Sequence, residues 1–143
     1  MKTLCASVLA VSLMVQAIPA SADWNKAAFE SKTAEASLKA FGIEGAKQSS
    51  EILLTVPEIA ENGSVVPVSV STKLPGISSI LILADKNPYP LIARFNLPEG
   101  APGEAALRVK LGQTSKIRAV VISNGKAFFT EKDVKVTVGG CGG

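Results

Sequence analysis

Between Glu51 and Val138 the apolar residues recur at every second position in short runs, and nearly all the runs are separated by Gly, Pro or Asn. Successive side chains of a strand point to opposite faces, so this period marks half-buried β-strands. Val66, Val68 and Val70 alternate with Pro67, Ser69 and Ser71; Leu107, Val109 and Leu111 alternate with Arg108 and Lys110. Ile77 to Ala84 is nearly all apolar, as in a strand buried on both sides. The runs Glu51 to Val56, Leu91 to Leu97, Lys116 to Ile122, Lys126 to Thr130 and Asp133 to Val138 complete the set. Asn124-Gly125 suits a two-residue hairpin turn, because both residues tolerate positive φ. About seven strands with no helical crossover predict an all-β, largely antiparallel sandwich of two sheets. Pro67 is expected on an edge strand, since proline cannot donate to a ladder.

Ahead of the strands, Trp24, Ala27, Ser31, Ala34, Leu38 and Phe41 follow three- and four-residue steps. That spacing predicts one amphipathic N-terminal helix, capped by Asp23 and closed by Gly42. Phe29 lies off the stripe and has a second surface to meet. The segments Asn87-Pro88-Tyr89-Pro90 and Pro98 to Gly103 read as loops between strands, and a docking loop is the sharper alternative.

A chain of 143 residues, 47% hydrophobic and 19% charged, suits one globular unit. Five Phe, one Trp, one Tyr and a net charge of +3 are too few for a base-stacking, phosphate-tracking surface, so nucleic acid is not an expected partner. The absence of His removes a Ser-His-Asp triad, a Cys-His dyad and histidine-ligated zinc or haem. Asp and Glu show no metal-site spacing, so no cofactor is assigned.

Residues 1–22 read as a cleaved signal peptide: Lys2, an apolar stretch from Leu4 to Ile18, and the small-x-small site Ala20-Ser21-Ala22. About 15 apolar residues fall short of the ~20 that span a bilayer. The expected order is then a leader at 1–22, a sandwich domain with its helix at 23–138, and an arm at 139–143. Cys5 leaves with the leader, so the exported chain has one cysteine, Cys141, and no intrachain disulfide.

That cysteine sits in Gly139-Gly140-Cys141-Gly142-Gly143. Glycine brings no side chain to pack and the greatest unfolded-state freedom, so the segment is expected to be a flexible arm. Extended, Gly139 to Cys141 reach roughly 10 Å. A purely structural cysteine belongs in the core. With no His or nearby cation to favour the thiolate, activation has to come from a partner. These properties suit a covalent carrier rather than an enzyme; the competing reading is an interaction module whose cysteine forms a disulfide-linked homodimer.

The terminal pentapeptide resembles the signature of the SoxY family, the sulfur carriers of the periplasmic Sox thiosulfate-oxidation system. Glu61 to Val68, Asn87-Pro88-Tyr89-Pro90-Leu91 with Phe95, and Lys135 to Val138 extend the likeness over most of the exported chain. The resemblance implies an immunoglobulin-like sandwich paired with a second small β protein, SoxZ. It also implies that Cys141 carries sulfur intermediates: SoxAX, a haem enzyme, oxidatively joins thiosulfate to the cysteine, SoxB hydrolyses off sulfate, and SoxCD, where present, oxidises the remaining sulfane sulfur. Family members commonly carry twin-arginine leaders, whereas this leader has Lys2 alone and reads as Sec-like. Gly142-Gly143 also matches the ends of ubiquitin-like sulfur carriers, but those need cytoplasmic ATP-dependent adenylation, which the leader and the all-β pattern oppose.

Between Ala105 and Thr130 the charges are Arg108, Lys110, Lys116, Arg118 and Lys126, with no Asp or Glu. This run is either an ordinary solvated sheet face or a landing surface for acidic partners or the anionic substrate.

Overall fold

The computed structural model describes residues 24–137. The leader, Asp23, Val138 and the arm at 139–143 with Cys141 lie outside the described residues. Two short helices, α1 (Lys26–Glu30) and α2 (Ala34–Lys39), precede the strands β1 (Lys47–Gln48), β2 (Ile52–Thr55), β3 (Ile59–Ala60), β4 (Val66–Thr72), β5 (Ile77–Ala84), β6 (Leu91–Asn96), β7 (Glu104–Val109), β8 (Ser115–Ser123) and β9 (Lys126–Val136). One sheet runs β1-β9-β8-β5-β6, with β3 also paired to β9; the other is β2-β4-β7. The expected all-β sandwich is present.

Alternation along β5 separates two apolar layers. Ile80, Ile82 and Ala84 enter the core between the sheets with Val66, Val68, Val109, Ile117 and Val134. Leu81 and Leu83 face the other way and pack with Val120, Ala28, Ala34 and Leu38 under the helices. Full burial of each Leu or Ile stabilises the fold by about 1.5–3 kcal/mol. This two-sided burial is why β5 reads as an unbroken apolar run.

Four local expectations are corrected. The single N-terminal helix is two, because Ser31-Lys32-Thr33 offer the backbone local alternatives. Ser31 is extended and its Oγ donates to Ala27 O at 2.6 Å, while Thr33 Oγ1 accepts from Ala36 N at 3.1 Å and caps α2. The break turns α1 so that Ala28 is buried and Trp24 and Ala27 are exposed. Asn25, rather than Asp23, caps α1, its side chain accepting from Ala28 N. Lys126 to Thr130 and Asp133 to Val136 form one strand, β9, held through Glu131 by continuous pairing with β8. Finally, β4 is the middle strand of its sheet. Proline is tolerated there because β2 pairs only with Ser69 to Thr72, so at Pro67 the ladder has a partner on the β7 side alone.

Other features follow the sequence. Asn124 (φ 48) and Gly125 (φ 75) form the β8–β9 hairpin turn, and Gly42 (φ 71) follows α2. Phe29 meets Trp24 at 5.7 Å and Phe41 edge-on at 6.4 Å, measured between ring centroids. Pairing is antiparallel except where β1 and β3 run parallel to β9.

Candidate functional site

The sequence singles out Cys141 and its glycines Gly139, Gly140, Gly142 and Gly143, all of which lie outside the described residues. What the structure does describe is the ground from which that segment departs. Val134 and Val136 turn inward to the inter-sheet core, Val134 fully buried. On one side β3 runs alongside: Lys135 N donates to Glu58 O at 2.9 Å, Thr137 N to Ala60 O at 3.2 Å, and Thr137 Oγ1 to Glu61 O at 3.4 Å. On the other side Val136 N donates to Thr114 Oγ1 at 3.0 Å. The chain is thus gripped from both edges up to Thr137, four positions before Cys141.

The three internal segments that carry the family likeness, far apart in sequence, meet around this root. In the loop before β4, Asn62 Oδ1 accepts from Ser64 N at 3.0 Å, and Gly63 O accepts from Leu111 N at 2.7 Å. Next along, Asn87 Nδ2 donates to Lys110 O at 2.9 Å, and Lys86 N donates to Ser115 Oγ at 3.1 Å. Glu61, Gly63, Leu111, Lys110 and Asn87 therefore form a continuous collar at the end of the sandwich where β9 stops. Three large apolar side chains on or beside these segments are exposed: Ile59 of β3 at 57%, Val65 at 48% and Tyr89 at 49%. Lys32 Nζ lies 3.7 Å from the centre of the Tyr89 ring, a cation–π contact that ties this loop to the link between the helices. Apolar exposure on this scale suits contact with another protein.

Thr114 and the Asn87–Lys110 bond were missed by sequence reasoning. Neither has a local signal, since a hydroxyl or amide that serves a distant backbone group looks like any loop residue. Among the described residues, no three His, Cys, Asp or Glu side chains are placed so that they could hold a metal ion.

The acid-free run resolves differently from either expectation taken whole. Two of its five cations are committed to acids elsewhere in the chain. Glu131 accepts from Lys116 Nζ at 2.9 Å and from Arg118 Nε at 3.1 Å. Arg118 also reaches Glu35 of α2 at 3.6 Å and Asp85 at 3.9 Å. This network pins α2 to the large sheet. The hydrogen bond from Lys116 holds the Glu131 carboxyl below its ordinary value of 4.5, opposed by burial and assisted by Arg118. The same bond raises Lys116 above 10.5.

A depressed carboxyl stabilises the fold above its unfolded-state value, and that contribution is lost as pH falls through the lower folded value. The raised lysine acts in the opposite sense: its contribution is complete below 10.5 and is lost as pH rises through the higher folded value. Glu131→Gln is expected to lower Tm at pH 7 and to make the acid-side fall of Tm below pH 4.5 shallower than in the parent chain. Thermal melts from pH 2 to 8 check this; parallel acid limbs would show that the pair does not govern the acid response.

The model of the family described as sulfur oxidation protein SoxY matches residues 38–141, so the match ends on the cysteine itself. Among solved structures, the sulfur carrier protein SoxY from Chlorobium limicola f thiosulfatophilum is similar at 36% identity and TM-score 0.66, over 73% of this chain and 94% of that one. A superoxide reductase (neelaredoxin) from Ignicoccus hospitalis, 19% identical with TM-score 0.53 over 60% of this chain and 80% of that one, shares the sandwich fold alone. No curated protein matches the chain. With a family match over most of its length and a structural relative above a third identical, this chain belongs to the SoxY family.

Proposed function

We propose that this protein is a noncatalytic covalent carrier of sulfur intermediates in thiosulfate oxidation. It holds them on the Cys141 thiol and presents them to partner enzymes on the arm Gly139-Gly140-Cys141-Gly142-Gly143. The observation that carries this reading is the family match running from α2 through β9 and ending at Cys141. The doubly gripped strand end at Thr137 supports it, because a carrier needs a firm base beneath a slender reach. Four residues beyond Thr137 span roughly 14 Å when extended.

In this scheme the thiolate sulfur of Cys141 bonds to the outer sulfur of thiosulfate, and two electrons leave to a SoxAX-like haem enzyme. Water then cleaves sulfate from the adduct on a SoxB-like hydrolase, leaving sulfane sulfur on the cysteine for a SoxCD-like oxidase. A SoxZ-like subunit completes a heterodimer. The leader at 1–22 supports a periplasmic location after Sec-type export.

Intact mass spectrometry of protein isolated without reductant, followed by fragmentation, tests the assignment. Thiosulfate or sulfane-sulfur adducts are expected on the C-terminal peptide at Cys141. Protein that carries only a Cys141–Cys141 disulfide after exposure to thiosulfate and a Sox enzyme extract would instead establish the homodimer module.

A further inference from the structure

At the end of the sandwich remote from Thr137, a hollow of about 550 Å³ opens between the α2–β1 loop and the β8–β9 hairpin. Three cations from separate parts of the chain line it: Lys47 of β1, Arg94 of β6 and Lys126 at the hairpin, against one acid, Glu44. All three are exposed, and none has a carboxylate within ion-pair distance among the described residues. The Arg94 guanidinium lies 4.3 Å from the centre of the Phe41 ring, so its plane is backed by an aromatic face while its donors stay unclaimed. Phe41 and Ile122 supply apolar wall.

From these features we infer that the hollow is a docking cleft for an acidic, partly apolar peptide segment of a partner protein. Unpaired cations on an apolar floor match carboxylates carried on an apolar chain. Size argues against a small oxyanion, which would leave most of the space to water; hollows of roughly 300–1,000 Å³ enclose ligands of many atoms. Lys126 and Val136 lie at opposite ends of β9, roughly 33 Å apart at about 3.3 Å per residue. A partner held in the cleft therefore leaves the collar at the other end of β9 uncovered, and this inference stands apart from the chemistry proposed at Cys141.

The test is a titration of the isotopically labelled chain, observed by NMR, with the peptide acetyl-Asp-Phe-Glu-Leu-Asp-amide and with its Asn/Gln counterpart. Expected are saturable shifts confined to residues 41–47, Arg94 and residues 125–128, a loss of affinity of at least about tenfold between low and physiological salt, and no response to the neutral peptide. Arg94→Gln with Lys126→Gln is expected to weaken binding at least tenfold, and Lys126→Gln alone severalfold, while Lys110→Gln leaves it unchanged. Absence of saturable shifts, equal response to the neutral peptide, or saturation of the same amides by sulfate or thiosulfate at lower concentration would overturn the proposal. Repeating the titration with Cys141→Ser keeps this outcome separate from that of the carrier.

Discussion

Thiosulfate-dependent turnover in a reconstituted Sox system is expected to fall to background with the Cys141→Ser chain, with Tm and heterodimer formation unchanged. The oxygen of serine lies in the same place but cannot form the sulfur–sulfur bond that carrier chemistry requires, and its proton is held far more tightly than that of a thiol. Cys141 lies four positions beyond Thr137, and none of the described core contacts includes it. Electron delivery to the haem partner, followed in the visible spectrum, reads the first step directly. Turnover comparable with the parent chain would end the carrier proposal.

Delivery should be nearly as sensitive to the glycines as to the thiol. Gly140→Trp with Gly142→Trp is expected to lower kcat/KM for loading by at least tenfold, equivalent to about 1.4 kcal/mol in the transition state. An arm flanked by glycine presents its sulfur on a bare backbone and can enter a channel little wider than the chain; indole rings on either side exclude it. Alkylation of Cys141 by iodoacetamide serves as the control and should proceed at the parent rate, because a small reagent does not need the arm to enter a channel. Matching loss in both assays would place the effect on the thiol itself, and loss in neither would remove slenderness from the mechanism.

Much of the fold was legible in the sequence because its signals are local. A period of two identifies strands whatever they pair with, and Asn124-Gly125 specifies a tight hairpin through the φ values its residues tolerate. The helical stripe misled at Ser31 to Thr33 because periodicity counts apolar positions and ignores the hydroxyls that draw the backbone out of the helix. The pause at Glu131 and Lys132 reads as a strand end for a related reason. A charged residue in mid-strand looks like a loop until its partners, Lys116 and Arg118 on the neighbouring strand, are known.

By itself the sequence determined the strand pattern, the hairpin turn, and the glycine setting that distinguishes Cys141, since each depends on residue type and immediate neighbours. Only the tertiary structure decided that β4 is central, that two cations of the acid-free run are neutralised, and that Lys47, Arg94 and Lys126 share one hollow. It also brought the loops at Glu61 to Val65 and Asn87 to Pro90 to the root of β9. These outcomes rest on contacts between residues tens of positions apart, whose energies depend on distance in space and carry no trace in local spacing.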